Sequence, residues 1–199
     1  MRYHIPVFLA VAFITMAFIN HKPILLSKDQ SPDKMDTIPQ VCVYIASQEI
    51  TAVHPFTTIL TNIFPDENAF ENYTGCYYQF YTPEEKPQIA VRLIKWSSKQ
   101  DATDDYVMQL RRHHESWGID PERIKGIADS AFFNINPEER DKCDECALVA
   151  IQGLYGIYIS FKGQYEKIPR SAKKFSALRI LQLMYDRIPG LTPPRVRIY

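Results

Sequence analysis

Cys143 and Cys146, with Asp144 and Glu145 between them, form a C-x-x-C spacing and so the first place to look for thiol exchange or metal binding. Thiol exchange needs a stabilised thiolate, and such pairs commonly sit at a helix N-terminus whose partial positive charge lowers the thiol pKa. Here the second cysteine runs straight into Ala147-Leu148-Val149-Ala150-Ile151, a strand pattern, and the two intervening carboxylates oppose a thiolate beside them. The residues therefore predict a local structural disulfide, Cys143 to Cys146, with a thiol–disulfide redox helper using the same pair as the alternative. A zinc site wants four ligands, and the nearest partners, His113 and His114, are consecutive residues that a helix directs about 100° apart. No metal and no cofactor is expected.

The same two histidines flank Tyr106 and Leu110 at helical spacing, which predicts packing at the edge of a buried stripe. Asp101, Asp104 and Asp105 fall in the first turns of that helix, where the helix dipole attracts carboxylates without any cation. EF-hand spacing with its turn glycine is absent. With seven glycines and neither G-x-S-x-G nor H-E-x-x-H, the chain offers no nucleophile elbow, phosphate cradle or metalloprotease helix. No catalytic residue is nominated, and a non-enzymatic protein is expected.

The N-terminus sets the compartment in which the cysteines must work. Met1-Arg2-Tyr3-His4 is a short basic lead into an apolar-to-neutral run, Ile5 to Ile19, with the pattern of an export signal. As a helix the run covers about 22 Å, short of the ~30 Å hydrocarbon core of a bilayer. Residues 1–19 therefore read as a cleaved signal peptide, with an inner-membrane anchor through residues 5–19 as the alternative. Residues 20–38, interrupted by Pro23 and Pro32, read as a polar linker. An even set of four cysteines in an exported chain predicts a disulfide framework. Of three connectivities, local pairing of Cys143 with Cys146 leaves Cys42–Cys76 as the long bridge.

The elements that must position these groups lie in residues 39–190. Val41–Ile45 reads as a short strand, and Ser47 caps two helical pieces, 47–53 and, after Pro55, 55–63, or one helix kinked at that proline. Residues 75–82 and 88–96 form a hairpin, with Arg92 and Lys95 interrupting the second strand so that it is not buried on both faces. In its first strand, Tyr77, Gln79 and Tyr81 share one face and Tyr78 and Phe80 the other. A helix opens at Asp101 and runs through Trp117 to stop at Gly118, and strands follow at Ser130–Ile135, Cys146–Gln152 and Leu154–Phe161. The last helix, 171–188, points Phe175, Leu178, Leu181, Met184, Tyr185 and Ile188 inward and Lys173, Lys174 and Arg179 outward. Residues 191–199 remain as a basic tail. This order predicts a single α+β domain, an antiparallel sheet of five to six strands with helices packed on one face.

Gly126-Ile127-Ala128-Asp129-Ser130-Ala131 resembles the G-x-G-D-x-A turn of small exported bacterial envelope domains of unknown function, often lipoproteins, whose fold is similar to the PsbP-like α+β sandwich. Those families also place a cysteine before the first helix and one at the start of the following strand, the positions of Cys42 and Cys76. The resemblance spans roughly 39–190. Ala128 stands where a second glycine is usual, and no cysteine follows the leader directly, so a lipid anchor there is not expected. The resemblance implies an envelope protein that binds or scaffolds; it implies no catalytic residues.

Formal net charge is zero, yet residues 160–199 carry nine Lys/Arg against Glu166 and Asp186, a net +7, while residues 23–159 sum to −9. So acidic a body argues against a nucleic-acid partner. The basic residues Lys167, Arg170, Lys173, Lys174 and Arg179 nominate a face for an anionic surface or acidic partner. The expectation is an exported, disulfide-stabilised cell-envelope protein, periplasmic or secreted, that binds an envelope protein or a small ligand. It meets the membrane only through its N-terminal segment, where that is retained.

Overall fold

The computed structural model describes residues 38–54, 59–67, 72–81, 87–135, 146–162 and 169–194. Runs rich in aromatic and β-branched residues build the strands: β1 (Ile59–Pro65), β2 (Tyr73–Tyr81), β3 (Gln88–Lys95), β4 (Glu122–Arg123), β5 (Ser130–Ile135), β6 (Cys146–Gln152) and β7 (Tyr155–Lys162). The helices are α1 (Val41–Tyr44), α2 (Ser47–Val53), α3 (Lys99–Trp117) and α4 (Arg170–Arg187). The strands form one antiparallel sheet of seven, not the expected five to six, because β1 and the two-residue β4 extend it at either edge, in the order β1-β2-β3-β7-β6-β5-β4. β3 and β7, far apart in sequence, pair from Gln88↔Lys162 to Lys95↔Tyr155 and so join an N-terminal meander to a C-terminal one. The expected hairpins are present, β2 with β3 and β6 with β7, the latter turning at Gly153 with φ of 62°.

The helices cover both faces of this sheet, not one. α1, α2 and α4 bury Val41, Ile45, Ile50, Ala177, Ile180 and Met184 against the face carrying Tyr78, Phe80, Leu93, Leu148 and Ile159. On the opposite face, Ala102 and Tyr106 of α3 pack against Phe132, Val149 and Ile151. The physical reason lies in β6, which is buried from Cys146 through Ile151 without a break; a strand apolar on both faces needs a layer on each. α3 packs on β5, β6 and β7, and beyond them the same face carries Arg92, Tyr77 and Tyr73.

Local readings change where packing outweighs pattern. Val41–Tyr44 is a helical turn, because Val41 and Ile45 at i and i+4 enter the core together while Val43 and Tyr44 stay exposed. α2 covers the expected 47–53, but its N-cap is Ala46, whose N–H donates to Glu49 Oε2 at 3.1 Å; Ser47 is already helical. Residues 59–63, expected in a helix, lie in β1, where Leu60 pairs with Phe80 and Ile63 with Tyr78 across a bulge. In α4 the buried stripe is Lys173, Ser176, Ala177, Ile180, Leu181, Met184 and Tyr185. Its phase turns Phe175 outward, 64% exposed, and Lys173 inward, 2% exposed, reversing both expectations. Small residues Ser176 and Ala177 let the helix approach the sheet closely.

Candidate functional site

Arg92 of β3 stands opposite Gly75 of β2 on one side and Tyr158 of β7 on the other, on the face that α3 partly covers. Gly75 has no side chain to fill the space beside it. A Cβ there would lie 2.9 Å from Asp66 Cβ, 3.2 Å from the Tyr73 hydroxyl and 3.3 Å from Arg92 Cγ. Into that space turns Asp66, only 5% exposed. Its Oδ2 accepts hydrogen bonds from the Tyr73 hydroxyl and, at 2.9 Å, from the Tyr77 hydroxyl. Arg92 Nη2 in turn donates to the Tyr77 oxygen at 2.8 Å, with Nε 3.5 Å from Asp66 Oδ2. The chain of donation thus runs from guanidinium to phenol to carboxylate. Burial works against the Arg92 charge, but the Tyr77 hydrogen bond and the negative charge of Asp66 outweigh it and hold its pKa above the ordinary value. Tyr73 is pushed up as well, by burial and then by its bond to Asp66, and so stays a donor.

A second anchor faces this one from α3. Asp105, 7% exposed, accepts the Tyr158 hydroxyl and, at 3.3 Å, Gln109 Nε2. Burial and the Asp105 contact both raise the Tyr158 pKa. Between the anchors opens a cleft of about 310 Å³, floored by Ala147, Val149, Tyr158 and Ser160 and walled by Arg92. Gln109, Arg112, His113 and Ser116 of α3 close its other side. His113 also meets the Phe132 ring edge-on at 5.2 Å. Burial, and next the Arg112 charge, push its pKa down to about 4, so the imidazole is neutral at pH 7.

No family model, curated protein or solved structure matches this chain. The cleft must therefore be read from its own chemistry.

The nominated residues fall elsewhere. Cys42 and Cys76 are bridged, with Cα atoms 5.1 Å apart, which ties α1 to β2 as expected. Cys146 is fully buried at the start of β6; Cys143 lies outside the described residues, and with it the local bridge. Of the basic set, Lys167 also lies outside them. Arg170 and Lys174 both clasp Glu122 of β4, at 3.2 and 2.5 Å, and hold its pKa below the usual carboxylate value. Lys173 is buried and Arg179 exposed. His114 turns from the cleft to Asp120, 2.9 Å away. Among the described residues no group of His, Cys, Asp and Glu could hold a metal ion, and no helix is long and apolar enough to cross a membrane.

Arg92, Asp66 and Tyr158 were not nominated from the sequence, although Arg92 left a signal as a charge inside an apolar strand. The Gly126–Ala131 turn has a structural task. Asp129 Oδ2 accepts the Gly153 N–H at 2.8 Å, pinning the β6–β7 turn, and Tyr185 of α4 donates to the Ile127 carbonyl at 2.7 Å.

Proposed function

We propose that the protein is an exported, disulfide-stabilised module that binds a small ligand in the cleft between α3 and the sheet, without catalysing a reaction on it. The observation that carries this reading is the way Arg92 is held. A long cationic side chain ordinarily loses rotamer freedom when it binds, and that cost lowers affinity. Here Tyr77 and Asp66 have ordered it beforehand from the side away from α3, as a preorganised binding group requires. The cleft lies at the lower end of the size range of small-molecule sites and combines an apolar floor with a few convergent polar groups. Export is supported by the N-terminal pattern and by the Cys42–Cys76 bridge, a bond that persists in oxidising compartments.

The test is to express the full chain in a Gram-negative host, fractionate the cells, and weigh the protein from each fraction intact, with and without reductant. Native mass spectrometry of the same sample then looks for a co-purifying small molecule, and hydrogen exchange for slowing in α3 and β7 on its return. Recovery from the envelope or medium with a small adduct is expected. A reduced cytoplasmic protein would overturn export; protection confined to segments outside α3, β3, β6 and β7 would overturn the assignment of the cleft.

A further inference from the structure

We propose that the cleft takes the carboxylate of a small organic acid, clasped between Arg92 and Arg112, with the acid's apolar body on the floor formed by Ala147 and Val149. This rests on the cleft being a binding site and adds the class of ligand. Among the described residues, the ionised side chains in the lining are these two arginines. The carboxylates nearby are engaged behind the wall: Asp66 by Tyr73 and Tyr77, Asp105 by Tyr158 and Gln109. Arg92 gives one of its N–H groups to Tyr77, and a guanidinium carries five in a fixed fork suited to a carboxylate. Arg112, exposed on α3, has no ion-pair partner among the described residues. Ser160, beside Tyr158 on β7, adds a hydroxyl donor.

Asp66 and Asp105 stand behind the lining and partly offset the field of the two arginines. Recognition must therefore come from donors aimed at short range and not from a long-range field, so salt should weaken it only modestly. A cationic ligand would meet the arginine faces, not the carboxylates. A neutral ligand of the same shape would leave the guanidinium donors unmatched as water is displaced.

The experiment is an NMR titration of the ¹⁵N-labelled full chain with three probes: benzoate, its neutral isostere benzamide, and inorganic phosphate. Benzoate is expected to move the amides of Tyr158, Ser160 and His113 and to bind about tenfold or more tightly than benzamide, the worth of a charge-assisted hydrogen bond. Arg112→Gln, at an exposed helical position, should weaken benzoate by a similar factor with an unchanged melting temperature. Arg179→Gln, exposed on α4, should leave binding as in the parent. Equal binding of benzoate and benzamide, or an unaltered Arg112→Gln, would overturn the carboxylate assignment while leaving the cleft as a site. Phosphate binding more tightly than benzoate would overturn the organic acid. None of the three probes moving a cleft amide would overturn the inference together with the reading beneath it.

Discussion

Gly75 shows how one absent side chain organises a site. In a strand a glycine weakens packing, and it persists where something else must come close; here that neighbour is the nearly buried Asp66, with Tyr73 and Arg92 around it. Gly75→Ala would set a methyl group 2.9 Å from Asp66 Cβ, close to the backbone where nothing flexible can yield. The expected cost is about 1–3 kcal/mol, as for overpacked cores. Chemical denaturation measures it, and an Ala variant as stable as the parent would show that Asp66 has freedom this geometry denies it. His113 offers a pH handle on the same cleft. Its pKa falls from the usual 6.5 to about 4 on folding, through burial and then the Arg112 charge. Between those values the unfolded chain binds the extra proton, so this contribution to stability is present above pH 6.5 and fades as pH falls toward 4. His113→Gln should therefore lose less melting temperature than the parent between pH 7 and pH 4.5. The difference will be modest because part of the ring meets solvent.

α1, a helix of four residues, cannot hold its shape by its own hydrogen bonds. It is held by Val41, buried in the core with its N–H on Thr74 Oγ1 at 3.4 Å, and by the Cys42–Cys76 bridge next door. The bridge closes a loop with a sequence separation of 34, worth about 4 kcal/mol in the chain-entropy treatment. Replacing both cysteines by alanine should lower unfolding free energy by about that amount, read from denaturant curves. Non-reducing peptide mapping should recover Cys42 joined to Cys76; a Cys42 peptide linked to Cys143 or Cys146 would contradict this connectivity. The Glu122 clasp works differently. Arg170 and Lys174 hold α4 to the short edge strand β4 across solvent-exposed contacts, which contribute little to stability but use up two of the basic charges of the C-terminal segment.

The described residues form a three-layer arrangement around one sheet, and its stability should be graded from the middle outward. β3, β7 and β6 are hydrogen-bonded on both sides and carry Val91, Leu93, Ile157, Ile159, Leu148 and Ala150 at 1% exposure or less. β1 and β4 are edges. Native-state hydrogen exchange should find the slowest amides in the three central strands and faster exchange in β1 and β4. β1 amides as slow as those of β7 would mean that something covers that edge. Because α3 packs on β5, β6 and β7, Arg92 of β3 lines a cleft at the side of that helix.

Much of the element list was legible in the chain by itself. The aromatic hairpin, the helix ending at Gly118, the three later strands and the last helix all follow from local periodicity and turn residues, because such signals act within a few neighbours. The Cys42–Cys76 pairing was legible too, by proximity of the other two cysteines. Tertiary contacts decided the rest. Leu60 and Ile63 fit a helix or a strand equally well by spacing, and only the presence of β2 as a partner made β1. The phase of α4 depended on which residues could approach the sheet, so Ser176 and Ala177 faced in and Phe175 out. The two-faced sheet was written into the unbroken apolar run of β6, yet that run says only that both sides are covered, not by which helix. The cleft was the least legible of all: Asp66, Gly75, Arg92, Asp105 and Tyr158 come from four strand or helix segments and one turn, and no spacing along the chain encodes a meeting that strand register alone brings about.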